Sequence, residues 1–332
     1  MRMLCRLFIL LVIVNTPLFG AIIKVDNNNI SIGDFTTLSA AHSSAVDGDT
    51  IYVRPTLTTY NGISVSKRLT FIGVGFELET YPEHASHITA RITGTMTFNA
   101  GSAGSILNGF DGDGFHIIIN ENRISIKRNK IFNIIINESV DCLIFQNKLI
   151  GYGASNGHGI IRLNNSNSIS IISNIIINNS TEYSSPRGIF GGSDLVITNN
   201  ILITEQYPII STYYSYVRNN IMISEIGCNF HHSLYQNNIH SIAGDNVDGN
   251  QYGVEPSTIF VDYENLDFHL ADESPAIGAG YMGEDIGIYG GDAPYIDGGI
   301  PGIPSIFHFQ ADIIGSQNDG LNTSIGAKSH SE

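Results

Sequence analysis

The chain is poor in charge. Asp, Glu, Lys and Arg make up 14% of its 332 residues, and 31 acidic residues face only 16 basic ones, for a formal net charge of -15. Nucleic acid and anionic membrane surfaces are held through basic footprints, so this deficit excludes both as partners. It also disfavours tight binding of a polyanion unless calcium or a local basic patch intervenes. Long apolar runs are equally scarce. The run Leu7–Val14 follows Arg2 and Arg6 and leads into Pro17-Leu-Phe-Gly20-Ala21. It is too short to span a bilayer and predicts a secretory signal over residues 1–21, cleaved after Gly20 or Ala21. The mature chain is therefore expected to be secreted or on the cell surface, with no membrane span. Cysteine amounts to three residues, of which Cys5 falls in the leader. Cys142 and Cys228 belong to coils about 15 Å apart in the stack derived below, whereas a disulfide needs Cα atoms within about 7 Å. Two free thiols are expected, with Cys142 as a small inward hydrophobe.

What the chain has is a repeat. Between residues 123 and 241 one phrase occurs six times, first as Ile124-Ser-Ile126-Lys-Arg-Asn129-Lys-Ile131, then around Asn147, Asn174, Asn200, Asn220 and Asn238. The asparagines are 18, 27, 26, 20 and 18 residues apart. A period of about 22 residues marks a solenoid in which each repeat stacks on its neighbours. Three places before the asparagine stand Ile126, Ile144, Ile171, Ile197, Val217 and Tyr235; two places after it come Ile131, Leu149, Ile176, Leu202 and Met222. Apolar residues recur at two, not at three and four, and the segments carry little Ala, Leu, Glu or Lys, so they read as strands and not helices. The asparagine is expected at a bend between two short strands, in the left-handed conformation it tolerates. Stacking would align the asparagines so that their amides hydrogen-bond along the stack. The fold expected is all-β, a single-stranded right-handed parallel β-helix with strands about 4.8 Å apart.

The domain plan follows. Residues 22–54 read as an N-terminal cap, with a strand at Ile22–Val25 and a helix from about Thr36 to Val46; 22–291 form the solenoid, with 260–291 as its closing segment. Pro294, Gly298, Gly299, Pro301, Gly302 and Pro304 give 292–332 the composition of a linker and flexible tail, in which Ser305–Gln310 supplies one strand and 316–332 are expected without order.

The opening Asp47-Gly-Asp-Thr-Ile-Tyr-Val53, the step Tyr60-Asn-Gly-Ile-Ser-Val-Ser-Lys67 and the asparagine repeats resemble the pectin-lyase-like right-handed β-helix superfamily. The phrases Phe260-Val-Asp-Tyr-Glu-Asn-Leu-Asp-Phe-His-Leu270, Ser274–Gly280 and Asp285–Gly291 resemble the endings of secreted bacterial members. The resemblance covers residues 22–291 and implies fold and export. It does not imply one activity, since the superfamily mixes lyases, hydrolases, epimerases and proteins without known chemistry.

Two catalytic patterns were sought: paired carboxylates for acid–base hydrolysis, or a base beside a calcium-binding carboxylate cluster for elimination. Gly157-His158-Gly159-Ile-Ile-Arg162 is similar to the Gly-His-Gly of polygalacturonases, but their Asn-Thr-Asp, Asp-Asp and Arg-Ile-Lys motifs are absent. The catalytic candidates are His158, Arg162, Arg187, Asp111 and Asp113, though a surface or turn residue is the plainer reading of each. Calcium loops at Asp111–Asn122 and Gly244–Asn250 lack a full ligand set, and solvated turns are the plainer reading. Tyr183, Tyr207, Tyr213, Tyr214 and Tyr216 gather in two neighbouring coils, with His231 and His232 close behind. If 178–185 and 205–214 bulge as loops, these rings wall a groove that stacks sugars; otherwise they decorate strands. The chain is expected to be a monomer that binds polysaccharide or a cell-surface glycan along its side without catalysis. The competing expectation is a lyase or glycoside hydrolase acting on uronic-acid polysaccharide.

Overall fold

The structure, a computed structural model, describes residues 20–80, 87–151, 159–178, 180, 186–315 and 320–328. Three parallel sheets wind around one axis. The first has ten strands, from Ile22–Val25 to Leu234–Gln236. The second has six, from Lys130–Ile131 to Ile239–His240, and the third nine, from Tyr60–Asn61 to Asn229–His231. Each asparagine phrase supplies a strand of the first sheet, a bend and a strand of the second. The third strand of each coil lies between phrases, for example Asn133–Asn137, Arg187–Ser193 and Tyr207–Tyr213. Residues 205–214 are therefore not a bulging loop. Pro208, Ile209 and Thr212 are buried there, and the segment pairs in parallel with the strands on either side.

Ile126, Ile144, Ile171, Ile197 and Val217 are fully buried, as are Ile131, Leu149, Ile176, Leu202 and Met222, and all belong to one continuous core. At about 1.5–3 kcal/mol per buried aliphatic side chain, these rows dominate the stability of the stack. Cys142 joins them as an inward residue, and both Cys142 and Cys228 are free. At the opening end, Ile22–Val25 pairs in parallel with Thr50–Val53, and the helix Leu38–Ser44 starts at Thr37, whose Oγ1 accepts from the Ala40 amide.

The expected amide ladder is present and runs one coil further than the repeat showed. Each Nδ2 donates to the Oδ1 of the next coil: Asn129 to Asn147, Asn147 to Asn174 and Asn174 to Asn200 at 3.0 Å, Asn200 to Asn220 at 2.9 Å, then Asn220 to Asn238 and Asn238 to Asn250 at 3.0 Å. The same oxygen accepts the backbone amide of the preceding asparagine, as from Asn147 N to Asn174 Oδ1 at 2.9 Å. Asn250 thus closes the ladder.

The left-handed residue is not the ladder asparagine but its predecessor: Arg128, Gln146, Ser173, Asn199, Asn219 and Asn237 have φ between 52° and 58°. This conformation turns the predecessor's side chain outward while the asparagine's stays buried between coils.

That outward row grips the C-terminal segment. Residues 256–301 do not cap the solenoid's end; they run back along its flank. Asn237 Nδ2 donates to Ala279 O, Asn219 Nδ2 to Glu284, Asn199 Nδ2 to Gly287 O, Ser173 Oγ to Ala293 O, Gln146 Nε2 to Pro294 O, and Arg128 Nη1 to Ile300 O. Beneath this strap the outer face of the second sheet is apolar. Ile175, Ile177, Ile201, Ile221 and Ile239 pack against Ile259, Phe260, Phe268, Ile286 and Ile288 in a second core. The second sheet is therefore buried on both faces, as parallel sheets usually are. Residues 292–301, expected as linker, belong to the strap, and Tyr295 and Ile300 are each 6% exposed. Beyond them Ser305–Ala311 pairs antiparallel with Thr323–Lys328, which adds a second strand, within 316–332, to the one expected at Ser305–Gln310. Among the described residues no helix is long and apolar enough to cross a membrane.

Candidate functional site

Asp111 and Asp113 do meet in a cleft, of about 340 Å³, at the corner where the chain enters the third sheet; Glu77, His87, Arg91 and Lys130 line it with them. Asp111 is placed by a backbone bridge to Arg91, and its Oδ2 accepts from Thr89 Oγ1 at 3.0 Å. Burial, the strongest influence, pushes its carboxyl above the usual carboxylate range, and the charge of Asp113 adds to this; Lys130, the Thr89 hydrogen bond and Arg91 pull the other way. Asp113 is exposed and pairs with Arg91 at 2.9 Å. Glu77 bridges Lys130 at 3.2 Å and Lys148 at 2.7 Å. Burial raises its pKa, but the hydrogen bond and charge of Lys148 and the charge of Lys130 outweigh this and hold the carboxyl below its ordinary value. Four carboxyls, Glu77, Glu79, Asp111 and Asp113, face Arg91, Lys130 and His87 in this cleft, and the Asp111 carboxyl is biased toward its protonated form.

The arginine candidates lie elsewhere. Arg162 sits on the outer face of the third sheet, two rungs (about 10 Å) beyond the strand that follows Asp111, and its Nε donates to Asn164 Oδ1 at 2.8 Å. The Arg187 guanidinium covers the Phe190 ring at 4.7 Å. Neither is brought to the Asp111–Asp113 pair by its strand, and His158 and Tyr183 lie outside the described residues.

The tyrosines divide in the same way. Tyr216 is structural: its ring and that of Tyr281 flank the Arg218 guanidinium at 4.8 and 4.4 Å. Tyr207 begins a strand that Tyr213 ends, which puts roughly 20 Å between them. Tyr213 and Tyr214 form one patch, 44% and 63% exposed. Tyr213 stacks on His231 with centroids 5.1 Å apart, and Tyr214 stacks on His232 at 5.4 Å.

This patch ends a feature that the sequence reading missed. A second amide ladder runs along the outer edge of the third sheet. Asn164 Nδ2 donates to Asn137 Oδ1 at 2.7 Å, Asn137 to Asn120 and Asn120 to Asn99 at 2.8 Å, and Asn99 to Ser64 Oγ at 2.8 Å. The ladder stops at a bulge between Leu163 and Asn167; a separate register row, Asn167, Ser193, Tyr213 and His231, starts three residues further along the edge. Seven rungs from Asn99 to His231 span about 29 Å at 4.8 Å per step. The signal was in the sequence: an inward apolar residue followed by asparagine, as Phe98-Asn99, Ile119-Asn120, Ile136-Asn137 and Leu163-Asn164. Its spacing is that of the buried ladder, which drew attention away from it.

Among the described residues no group of three or more His, Cys, Asp or Glu side chains converges to hold a metal ion. No family model matches the chain, and no curated protein does. Among solved structures it is similar to pectate lyase Pel9A, at 13% identity over 81% of this chain and 96% of that one, with a TM-score of 0.36. A likeness that slight carries no argument about activity. The three stacked parallel sheets wound around a continuous core make the chain, on its own geometry, an all-β parallel β-helix.

Proposed function

We propose that this is an exported glycan-binding β-helix whose ligand lies lengthwise along the outer edge of the third sheet. The observation that carries the reading is an edge built of two successive rows, the amide ladder Asn99, Asn120, Asn137 and Asn164 and, past a bulge, Asn167, Ser193, Tyr213 and His231. Amides offer donors and acceptors once per rung, a step comparable to the advance of one pyranose in an extended glycan. The exposed rings of Tyr213 and Tyr214 add apolar faces with hydroxyl handles, the combination that stacks on sugars. Glu121, Glu138 and Asp194 flank the edge, so a neutral chain suits it better than a polyanion.

The test is binding of the purified chain to a panel of neutral glycans, pectins and alginates. Stacking on each ring contributes about 0.5–1.5 kcal/mol, so the double substitution Tyr213→Ala/Tyr214→Ala should weaken a neutral glycan roughly 5- to 150-fold. An affinity unchanged by that pair would discard the edge as the binding surface.

One observation favours a second reading, cleavage at the Asp111 cleft: a carboxyl biased toward its acid form beside a second carboxylate is the arrangement a general acid needs. New reducing ends from any panel member, lost in Asp111→Asn with binding retained, would establish it. Silence across the panel would remove it.

A further inference from the structure

The core of the last two coils differs in character from the aliphatic rows before it. On the second sheet, the inward row Ile131, Leu149, Ile176, Leu202 ends in Met222 and His240. On the first sheet, the row Ile126 through Val217 ends in Tyr235. On the third, Ile161, Ile189 and Ile209 are followed by Cys228, which precedes Asn229, the register partner of Ile210. All three sheets thus change together from aliphatic to donor-bearing side chains, and these meet on the axis. Cys228 Sγ lies 3.2 Å from Met222 Sδ, and the Tyr235 hydroxyl lies 3.8 Å from the same sulfur and contacts His240 Nε2. His240 is 1% exposed. A buried imidazole is costly where an aliphatic would pack.

We propose that Met222, Cys228 and His240 form a site for a soft monovalent metal ion, Cu(I) in particular. Thioether, thiolate and imidazole are the donors that select this class over Ca²⁺ and Mg²⁺. Two sulfurs 3.2 Å apart accept an ion about 2.3 Å from each at an angle near 90°, and separation by a further half ångström reaches the tetrahedral angle. Binding exchanges the Cys228 S–H proton for a Cu–S bond, the proton leaving to solvent with no change of oxidation state. Nε2 of His240 exchanges the Tyr235 hydroxyl for the ion, and that hydroxyl keeps Tyr252 as its partner. Cys228 is only partly buried, which leaves an ion a way in.

The experiment titrates the full chain with Cu(I) under anaerobic reducing conditions against a chromophoric Cu(I) chelator, with circular dichroism to confirm that each variant is folded. One Cu(I) per chain withheld from the chelator is expected. Cys228→Ser and Met222→Leu should each weaken binding more than about 100-fold, the upper end of what outer-shell losses cost; Cys142→Ser should leave it unchanged. No competitive binding, or retention in folded Cys228→Ser, overturns the proposal, as does equal preference for Zn²⁺.

Discussion

Replacing Asn174 by Ala tests whether the buried ladder holds the coils together. The Asn174 side chain is fully buried; its Oδ1 accepts from Asn147 N and Nδ2, and its Nδ2 donates to Asn200 Oδ1 and to the carbonyls of Ile144 and Ile172. Truncation leaves the Asn147 amide without its acceptor in a dry interior, at about 1–3 kcal/mol, and removes two amide–amide bonds of about 0.5–1.5 kcal/mol each. The expected cost is about 3 kcal/mol. Asn164 makes the same kind of bond on the partly exposed outer edge, where water replaces the lost partner, so Asn164→Ala should cost about 0.5 kcal/mol. With a urea slope of about 3 kcal/mol per M, the first variant should lower the unfolding midpoint by about 1 M and the second by less than about 0.2 M. Equal midpoints for the two variants would refute the distinction between a buried ladder that bonds coils and an outer one free to bond ligand.

Two further outcomes follow from the strap and the corner cleft. Arg128→Met removes charged donors to Gln146 Oε1 and Ile300 O, at about 1.5–3 kcal/mol each, and should expose 292–301 to protease before the coils unfold; unchanged cleavage there would show that the strap does not depend on Arg128. The carboxyl of Glu77 titrates below its ordinary 4.5, so its contribution is fully present above that pH and lost as pH falls through the lowered value. Glu77→Gln should therefore flatten the acid side of the stability profile, and parallel profiles would count against the Lys130–Glu77–Lys148 bridge.

The coil was legible because two constraints coincide on it: aliphatics every second residue, and one asparagine per turn. The third sheet was not legible, because its strands carry no invariant residue and vary in length from Tyr60–Asn61 to Gly159–Asn167. The left-handed residue was assigned one place late, since Asn199-Asn200, Asn219-Asn220 and Asn237-Asn238 offer two asparagines and only stacking distinguishes their roles. The strap's glycines and prolines read as linker because composition reports the absence of regular structure, not of contacts. Asp111 and Asp113 are neighbours in sequence, whereas Glu77 and Lys130, which line the same cleft, are distant in sequence and meet them only by the winding of the chain.

The strap also bears on how such a chain changes length. A solenoid whose coils touch only their neighbours tolerates duplication or loss of a coil anywhere. Here the segment Ala279–Ile300 meets one outward side chain on each of six successive coils, in reverse order. Adding or deleting a coil between Arg128 and Asn237 would throw every later contact out of step. The strap therefore acts as a ruler laid against the stack, and the number of coils beneath it is fixed by its length.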